Sequence, residues 1–560
     1  MVSSSAPLHD QGFDVLVIGG GINGVAIARE CARRGKRTLL VEQNDFASGT
    51  TSRSTRIIHG GLRYLELGEI GLVRESLHER ENLLNESPHL VRPLEFLLAL
   101  PRKSSSLLHS ALAVRTGLWL YHHWAGGERA NRSDAEAFER QLDAGGSWAV
   151  YSYEDAQCEF PERLVAEWLA ESVAAGALVG NHTQALEITR SNGRVTGASL
   201  RDLISGQEYS VSAEWIVNAT GPWVDAVTDA SGISSGRTGR MIGGVRGSHL
   251  VLPKFPGAAP QPIYAQATDG RQIFVIPWNG QILVGTTEVS DLDRPDNPQP
   301  SAEEIDYLLK SFLRLFPGSG ITRADIRYSF AGIRPLPYAP GKKYSDVTRR
   351  HILHDHRDEG AAGLISVIGG KLTTAASLAR DVGRKLGLGI REPANVFAAP
   401  ALEEDLESTV RQWAHLVASK AGIREECAQG VAEWHGRHAL AIAHAASLDE
   451  RLREPICSHS CHLVAEAVES VAHECAMTLG DILLRRVPVA LGACWSESCS
   501  REAATKIGDA LGWDQARTHA ELEHFEEERQ NFLHPQTSAS ANRHAENAAQ
   551  TGTSMRTETV

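Results

Sequence analysis

What the chain lacks narrows the field first. No stretch reaches the roughly 18 consecutive apolar residues of a membrane-spanning helix, and the opening MVSSSAPLHDQ has no apolar core of the kind a secretory signal carries. Neither secretion nor a transmembrane anchor is expected, which makes the cytoplasm the default location. A basic excess is missing too. Lys and Arg number 56 against 69 Asp and Glu, a formal charge of -13, which argues against nucleic acid as a partner because phosphate backbones are held by a basic face. Cysteine is scarce, eight in 560 residues, and in a cytoplasmic chain a disulfide framework is not expected. The remainder is ordinary for a folded protein: 42% apolar and 22% charged residues. The chain is too long for one hydrophobic core and suits two or three domains.

Residues 14–42 read DVLVIGGGINGVAIARECARRGKRTLLVE. Residues 14–18 are short, β-branched and apolar on both faces, as in a strand buried in a parallel sheet. Gly19, Gly21 and Gly24 follow in G-x-G-x-x-G spacing, which serves a tight turn, backbone approach to a pyrophosphate, and close helix–strand packing. A helix is expected from about Ile22, with small Ala26, Ala28, Cys31 and Ala32 against a sheet and Gly35 as its stop after Arg33 and Arg34. Residues 38–41 make a second strand. Glu42 at its end can accept hydrogen bonds from both hydroxyls of a ribose and would repel a 2′-phosphate, which disfavours NADP. Between NAD and FAD the motif does not choose.

Downstream, NDFASGTTSRSTRIIHGGLRYLELGEIGLVRES is crowded with Ser, Thr and Gly before turning helical around Ile70. An extended segment of this kind lies where a flavin's pyrophosphate and ring would pass. Here the residues resemble a known family, the FAD-dependent glycerol-3-phosphate dehydrogenases and oxidases. The likeness is carried by VIGGGINGVAIA, IHGGLRYLE (58–66), NATGPW (218–223), FVIPW (274–278), GIRPL (332–336) and GGKLTT (369–374), in family order within residues 13–395. The resemblance implies FAD as cofactor and oxidation of sn-glycerol 3-phosphate to dihydroxyacetone phosphate by hydride transfer to flavin N5. Electrons would pass to quinone or oxygen.

The implied fold is α/β (α+β): a Rossmann-like FAD-binding domain of the glutathione-reductase/D-amino acid oxidase type, an antiparallel-sheet substrate domain and a C-terminal helical domain. Strands ending in turns at NATGPW and at ISVIGG (365–370), the latter expected to open a helix at Lys371, make the FAD domain discontinuous, over 13–90, 150–225 and 350–395. Residues 91–149 and 226–349 are assigned to the substrate domain, with a hairpin at Asn279-Gly280. Apolar positions at helical spacing place the helical domain at 400–532. Residues 1–12 are expected to be flexible and 533–560 disordered.

Oxidising a phosphorylated secondary alcohol needs a hydride acceptor, a base and cations around a dianion. By resemblance, Arg63, Tyr64, Arg334, Arg349 and Lys371 correspond to the substrate pocket, with Arg334 and Lys371 also catalytic. His249 in GSHLVLP is named as base, because a histidine can take a proton near neutral pH. FAD contacts are assigned to Gly19, Gly21, Asn23, Gly24, Glu42, Ser54, Thr55, His59, Gly60, Gly61, Thr220, Gly221, Gly369, Gly370, Lys371, Leu372 and Thr373. Two segments depart from the family pattern: EFPERL (159–164) stands where a DDARL-like segment is common, and GTTE (285–288) where GTTD is. These leave open another small phosphorylated or acidic polyol as substrate.

Residues 101–127 mix Arg102, Lys103 and Arg115 with leucines, Trp119 and Trp124. Such a helix can face the protein core or lie in a membrane interface; the resemblance implies a peripheral contact with the inner face of the cytoplasmic membrane. A homodimer is one assembly state compatible with the chain. Cys457 to His462 (CSHSCH), Cys475, and Cys494 to Cys499 (CWSESC) could hold zinc or an iron–sulfur cluster. The segment also resembles the cluster-bearing C-terminal region of the family's anaerobic branch, but lacks its opening C-x-C, so free thiols and no metal are expected. Two competing functions are an amine or amino acid oxidase, which would want one arginine for a carboxylate and no phosphate cluster, and a flavin-bound, non-catalytic interaction module.

Overall fold

The computed structural model describes residues 11–62, 64, 68–101, 111–125, 148–233, 240–267, 269–291, 295–389 and 406–534. Arg63, Arg102 and Lys103 lie outside the described residues, as do nearly all of the expected flexible N-terminus and tail.

Two sheets form the body. The first holds β1 (Gly12–Ile18), β2 (Thr38–Val41), β6 (Leu178–Gly180), β7 (Thr183–Ser191), β8 (Arg194–Asp202), β9 (Glu208–Asn218), β16 (Ile352–Asp355) and β17 (Leu364–Ile368). Its path runs β16-β17-β9-β1-β2-β6, with the β7/β8 hairpin joined to β9. The central pairs are parallel, Val17 of β1 lying opposite Leu40 of β2 and Val217 of β9. Val15, Leu16 and Val17 are all buried, which is why β1 is apolar on both faces rather than alternating. The second sheet holds β3 (Ile57–Ile58), β4 (Val91–Pro101), β5 (Trp148–Cys158), β10 (Val245–Leu252), β11 (Ile263–Gln266), β12 (Gln272–Trp278), β13 (Gln281–Gly285), β14 (Val289–Ser290) and β15 (Tyr328–Arg334). All its pairs are antiparallel except β11 with β4. The Asn279-Gly280 turn joins β12 to β13 with Trp278 opposite Gln281. This sheet takes in Ile57–Ile58 and runs to Cys158, so its edges enter stretches assigned from sequence to the FAD domain.

Helix α1 (Ile22–Arg33) packs its small residues against the first sheet and stops where expected: Gly35 has φ +77° and donates its N–H to Ala32 O at 2.8 Å. Along the chain follow α2 (Ile70–Glu86), α3 (Ala111–Ala125), α4 (Pro161–Ala174), α5 (Val224–Ala230), α6 (Ala302–Leu315) and α7 (Ala375–Lys385). Lys371 is the expected start of the last of these, yet α7 begins at Ala375. Gly369 (φ +80°) and Gly370 (φ +96°) carry the chain through a left-handed turn first, and residues 371–374 complete it. Helix α6 is held by a reciprocal cap: Glu304 N–H donates to Ser301 Oγ at 3.3 Å, and Ser301 N–H donates back to Glu304 at 3.0 Å.

The C-terminal helices are α8 (Leu406–Ala421), α9 (Glu425–His435), α10 (Ala439–Leu448), α11 (Val464–His473), α12 (Glu497–Leu511) and α13 (Gln515–Leu533). Buried charge joins them to the layer built on the first sheet. Asp45 accepts both Nη groups of Arg486 at 2.7 Å and the Nε of Arg485. Arg163 forks onto Glu474 at 2.7 and 2.8 Å. Burial alone would raise the Glu474 carboxyl, but the Arg163 guanidinium overrides it and holds the group at about 2.

Candidate active site

A cavity of about 760 Å³ opens at the carboxyl ends of β1 and β9. Gly19 (φ +105°) turns the chain there, and a Cβ on it would lie 2.7 Å from Ala219 O; a Cβ on Gly24 would lie 1.8 Å from Gly19 O. The two glycines therefore let α1 and β9 close on the turn. The Glu42 carboxylate faces the cavity and accepts the Gly20 N–H at 2.6 Å and the Asn44 N–H at 2.9 Å. Asn23 donates its amide to Gly369 O at 3.4 Å, while its buried Oδ1 has no hydrogen-bond partner among the described residues. The opposite wall comes from the helical domain: Arg485, His524, Glu528, Asn531 and Phe532.

Lys371, on the rim of this cavity, has Arg334 and Arg349 in its vicinity, and these form a cation pocket around Glu288. Lys371 Nζ donates to Ser76 Oγ at 2.5 Å and sits 4.6 Å from the centre of the Tyr64 ring. Burial pushes its ammonium down to about 7 against the pull of Glu75, Glu69 and Asp155, and the charge of Arg349 adds a little to the lowering. Arg334 donates to Thr286 Oγ1 at 3.0 Å and to Thr287 O at 3.3 Å. Arg334 and Arg349 both turn toward Glu288, at 3.9 and 3.2 Å. Arg349 also keeps a buried Nη1 with no hydrogen-bond partner among the described residues.

His249, on β10, stacks on Phe330 with ring centres 4.9 Å apart, and its Nε2 lies 3.0 Å from Thr55 Oγ1. Burial, then the nearby charges of Arg334 and Arg56, push its pKa down to about 3. His59 is likewise pushed down to about 3, by burial and by Lys371. A buried network supports the His59 loop. Gly60 N–H donates to Tyr121 Oη (2.8 Å) and Asp155 Oδ1 (3.2 Å), and Tyr121 Oη donates to Asp155 (2.8 Å). Burial raises Asp155 to about 7 in spite of Arg80 beside it.

Residues 14–376 match the family model described as FAD dependent oxidoreductase, and residues 403–518 match the C-terminal domain of alpha-glycerophosphate oxidase. The chain belongs to the FAD-dependent oxidoreductase family. Among its relatives are the glycerol-3-phosphate dehydrogenase of Synechocystis sp. (35% identical over 548 residues, 93% of this chain and 97% of that protein) and the aerobic glycerol-3-phosphate dehydrogenase of Bacillus subtilis (30% over 540 residues, 92% and 94%). The structure of the glycerol-3-phosphate dehydrogenase from Bacillus halodurans complexed with FAD superposes with a TM-score of 0.75 at 24% identity, covering 94% of this chain and 96% of that one. Glycine oxidase from Geobacillus kaustophilus shares the fold at a TM-score of 0.51, 20% identity, 70% of this chain and 100% of that one.

As an FAD-dependent oxidoreductase the chain has a cavity whose residues fit the cofactor. At the N-terminus of α1, Thr51 Oγ1 accepts the Ile22 N–H at 3.1 Å, and the N–H groups that follow can face a pyrophosphate. Glu42 offers lone pairs to a ribose, and Asn23 Oδ1 is a buried acceptor awaiting a donor. Of the residues assigned from sequence, Gly19, Gly21, Asn23, Glu42, Ser54, Thr220, Gly221, Gly370, Lys371 and Leu372 line this cavity. Gly24 serves the helix–strand contact instead. Thr55 meets His249; His59, Gly60, Gly61 and Thr373 cluster near Lys371, the His59 N–H donating to Thr373 Oγ1 at 3.2 Å. Tyr64 lies over Gly61, and Gly369 holds Asn23.

The two departures from the family pattern part company. EFPERL is scaffold: Glu162 forks onto the wholly buried Arg56 at 2.8 and 2.9 Å, Arg163 onto Glu474. Only GTTE reaches the cation pocket, through Glu288. Sequence reasoning missed Arg53, which sits over the Phe532 ring at 4.9 Å, and the whole wall supplied by the helical domain. No local motif marks those residues.

Proposed function

We propose that the chain oxidises sn-glycerol 3-phosphate to dihydroxyacetone phosphate. The convergence of Arg334 and Arg349 on one carboxylate, Glu288, beside Lys371 carries this reading. Two guanidiniums around a carboxylate suit a dianion better, so the substrate phosphate displaces Glu288 and takes both forks. The relatives' names for this reaction support the assignment, and the cation count disfavours a simple carboxylate substrate such as an amino acid.

Bound FAD supplies the acceptor for the hydride that leaves the secondary carbon. Lys371, protonated, holds negative charge at the meeting point of substrate and cofactor. His249 takes the hydroxyl proton. Its low pKa is partly the work of Arg334, so a phosphate that neutralises Arg334 makes the imidazole a better base just when substrate is present. His59 packs by the cofactor and stays neutral. Electrons pass on to quinone. Helix α3 serves a membrane contact, its inner face anchored by Leu118 and Tyr121 and its outer face presenting Arg115 and Trp119, the latter 57% exposed.

The test is anaerobic bleaching of the flavin band near roughly 450 nm. Glycerol 3-phosphate is expected to bleach it, whereas glycerol and a D-amino acid leave it. A yellow protein reduced by the amino acid, or by none of the three, overturns the reading.

A further inference from the structure

From sequence, the C-terminal cysteines read as free thiols. The fold gathers three chemistry-bearing groups from two distant loops at one point in the helical domain. Cys457 and Cys499 are buried, His459 is exposed, and one donor atom of each lies within 4.8 Å of the others. His459 Nδ1 is 3.3 Å from Cys499 Sγ. Cys494 stands at the rim: its Sγ is 3.9 Å from His459 O, and its own carbonyl is 3.7 Å from Cys499 Sγ.

We propose that Cys457, His459, Cys494 and Cys499 bind one zinc ion. Tetrahedral zinc with bonds of about 2.3 Å to sulfur and about 2.0 Å to nitrogen sets its ligand atoms about 3.5 to 3.8 Å apart. The 3.3 Å contact between His459 and Cys499 is close to that scale, and the other donor pairs, within 4.8 Å, need to shift by about 1 Å at most. The exposed Cys494 side chain closes the fourth position by rotating inward. The spacing, C-x-H in one loop and C-x4-C in the other, supplies one ligand pair from each side. Cys499 is the third residue of α12, where its N–H donates to the cap Ser496 and the helix N-terminus favours a thiolate.

The ion would pin the loop before α11 to the start of α12, adding to the Ser458 N–H bond to Glu502 at 2.9 Å and the Lys506 bond to Pro455 O at 2.9 Å that already join them. A second cluster, His354, His356 and Glu359, carries no such proposal. Its members bond one another, and His356 Nε2 meets Ser366 Oγ at 2.8 Å. Glu359 is already engaged by both rings, His354 Nε2 at 2.9 Å and His356 Nδ1 at 2.6 Å.

The experiment is plasma mass spectrometry on full-length flavin-loaded protein purified without chelating resin, followed by zinc release on titration with a mercurial. About one zinc per chain is expected, released as the thiols react. Cys457→Ser and Cys499→Ser lose the ion. His459→Ala, at an exposed position that does not threaten folding, and Cys494→Ser raise the dissociation constant for Zn²⁺ at least about tenfold. Cys427→Ala keeps the ion, and the flavin spectrum is unchanged in the His459 and Cys494 variants. Cobalt taken up in place of zinc should show thiolate-to-metal absorption. Protein that holds no zinc and takes up neither Zn²⁺ nor Co²⁺ overturns the proposal, as does stoichiometric iron with acid-labile sulfide.

Discussion

Buried arginines meet carboxylates in two regions of this molecule, and the two are wired differently. Where the helical domain joins the FAD-binding sheet, every guanidinium has carboxylates to match: Arg163 forks onto Glu474, Arg486 onto Asp45, and Arg485, which also reaches Asp45, has Asp481 at 3.2 Å and Glu528 at 2.7 Å besides. In the cation pocket, Arg334 and Arg349 converge on one carboxylate at 3.9 and 3.2 Å, longer than those forks, and the neighbouring Lys371 is held near the edge of neutrality. Matched charge stabilises a join but leaves nothing for a ligand. Two guanidiniums that share one carboxylate at longer range are relieved by an incoming dianion.

The contrast can be broken at its strongest point first. Asp45→Asn takes away the carboxylate that the buried Arg486 forks onto, leaving Arg485 to Asp481 and Glu528, and should cost about 3–5 kcal/mol. Thermal unfolding and flavin retention would both fall, whereas unchanged stability would mean that the interface does not depend on this pair. Arg334→Ala and Arg349→Ala should each lower kcat/KM for glycerol 3-phosphate by about 10²–10³ with little loss of melting temperature. A comparable loss of stability would make them scaffold after all.

A pH profile sharpens the contrast more gently. Lys371 must be protonated to hold an anion, so with its pKa at about 7, kcat/KM should decline about tenfold per unit as pH rises above that value. Bound phosphate raises the lysine's pKa, which moves the same limb to higher pH in kcat. Lys371→Arg should remove the limb, since guanidinium stays charged. The smallest effect belongs to Glu288→Gln. Removing the competing carboxylate should tighten inhibition by inorganic phosphate about fivefold, and no change would show that the carboxylate does not occupy the anion position.

Much of this was legible in the chain because its cause is local. The glycines at 19, 21 and 24 specify their own backbone conformations and close approaches. The Asn279-Gly280 turn likewise carries its hairpin within a few residues. The start of α7 was misjudged by four residues, because two consecutive positive-φ glycines give no sign of how long the turn after them runs. What stayed hidden is long-range. Asp45 and Arg486 are 441 residues apart, and Tyr121 and Asp155 come from elements with no shared pattern. His249 is named as base for what an imidazole does near neutral pH, yet its burial against Phe330 and the depressed pKa that follows depend on β15, whose Phe330 pairs with it from far along the chain.

The cofactor cavity is lined from Ile18 to Phe532. During synthesis the glycine turn, Glu42 and the strand ending at Asn218 emerge hundreds of residues before α13. A nascent chain can therefore shape the dinucleotide turn early, yet the compartment stays open on one side until the final helix has left the ribosome. Enclosure of the flavin thus becomes a late quality check on the whole chain: a product truncated before α13 would keep the recognition motif and lose the means of retaining what it recognises.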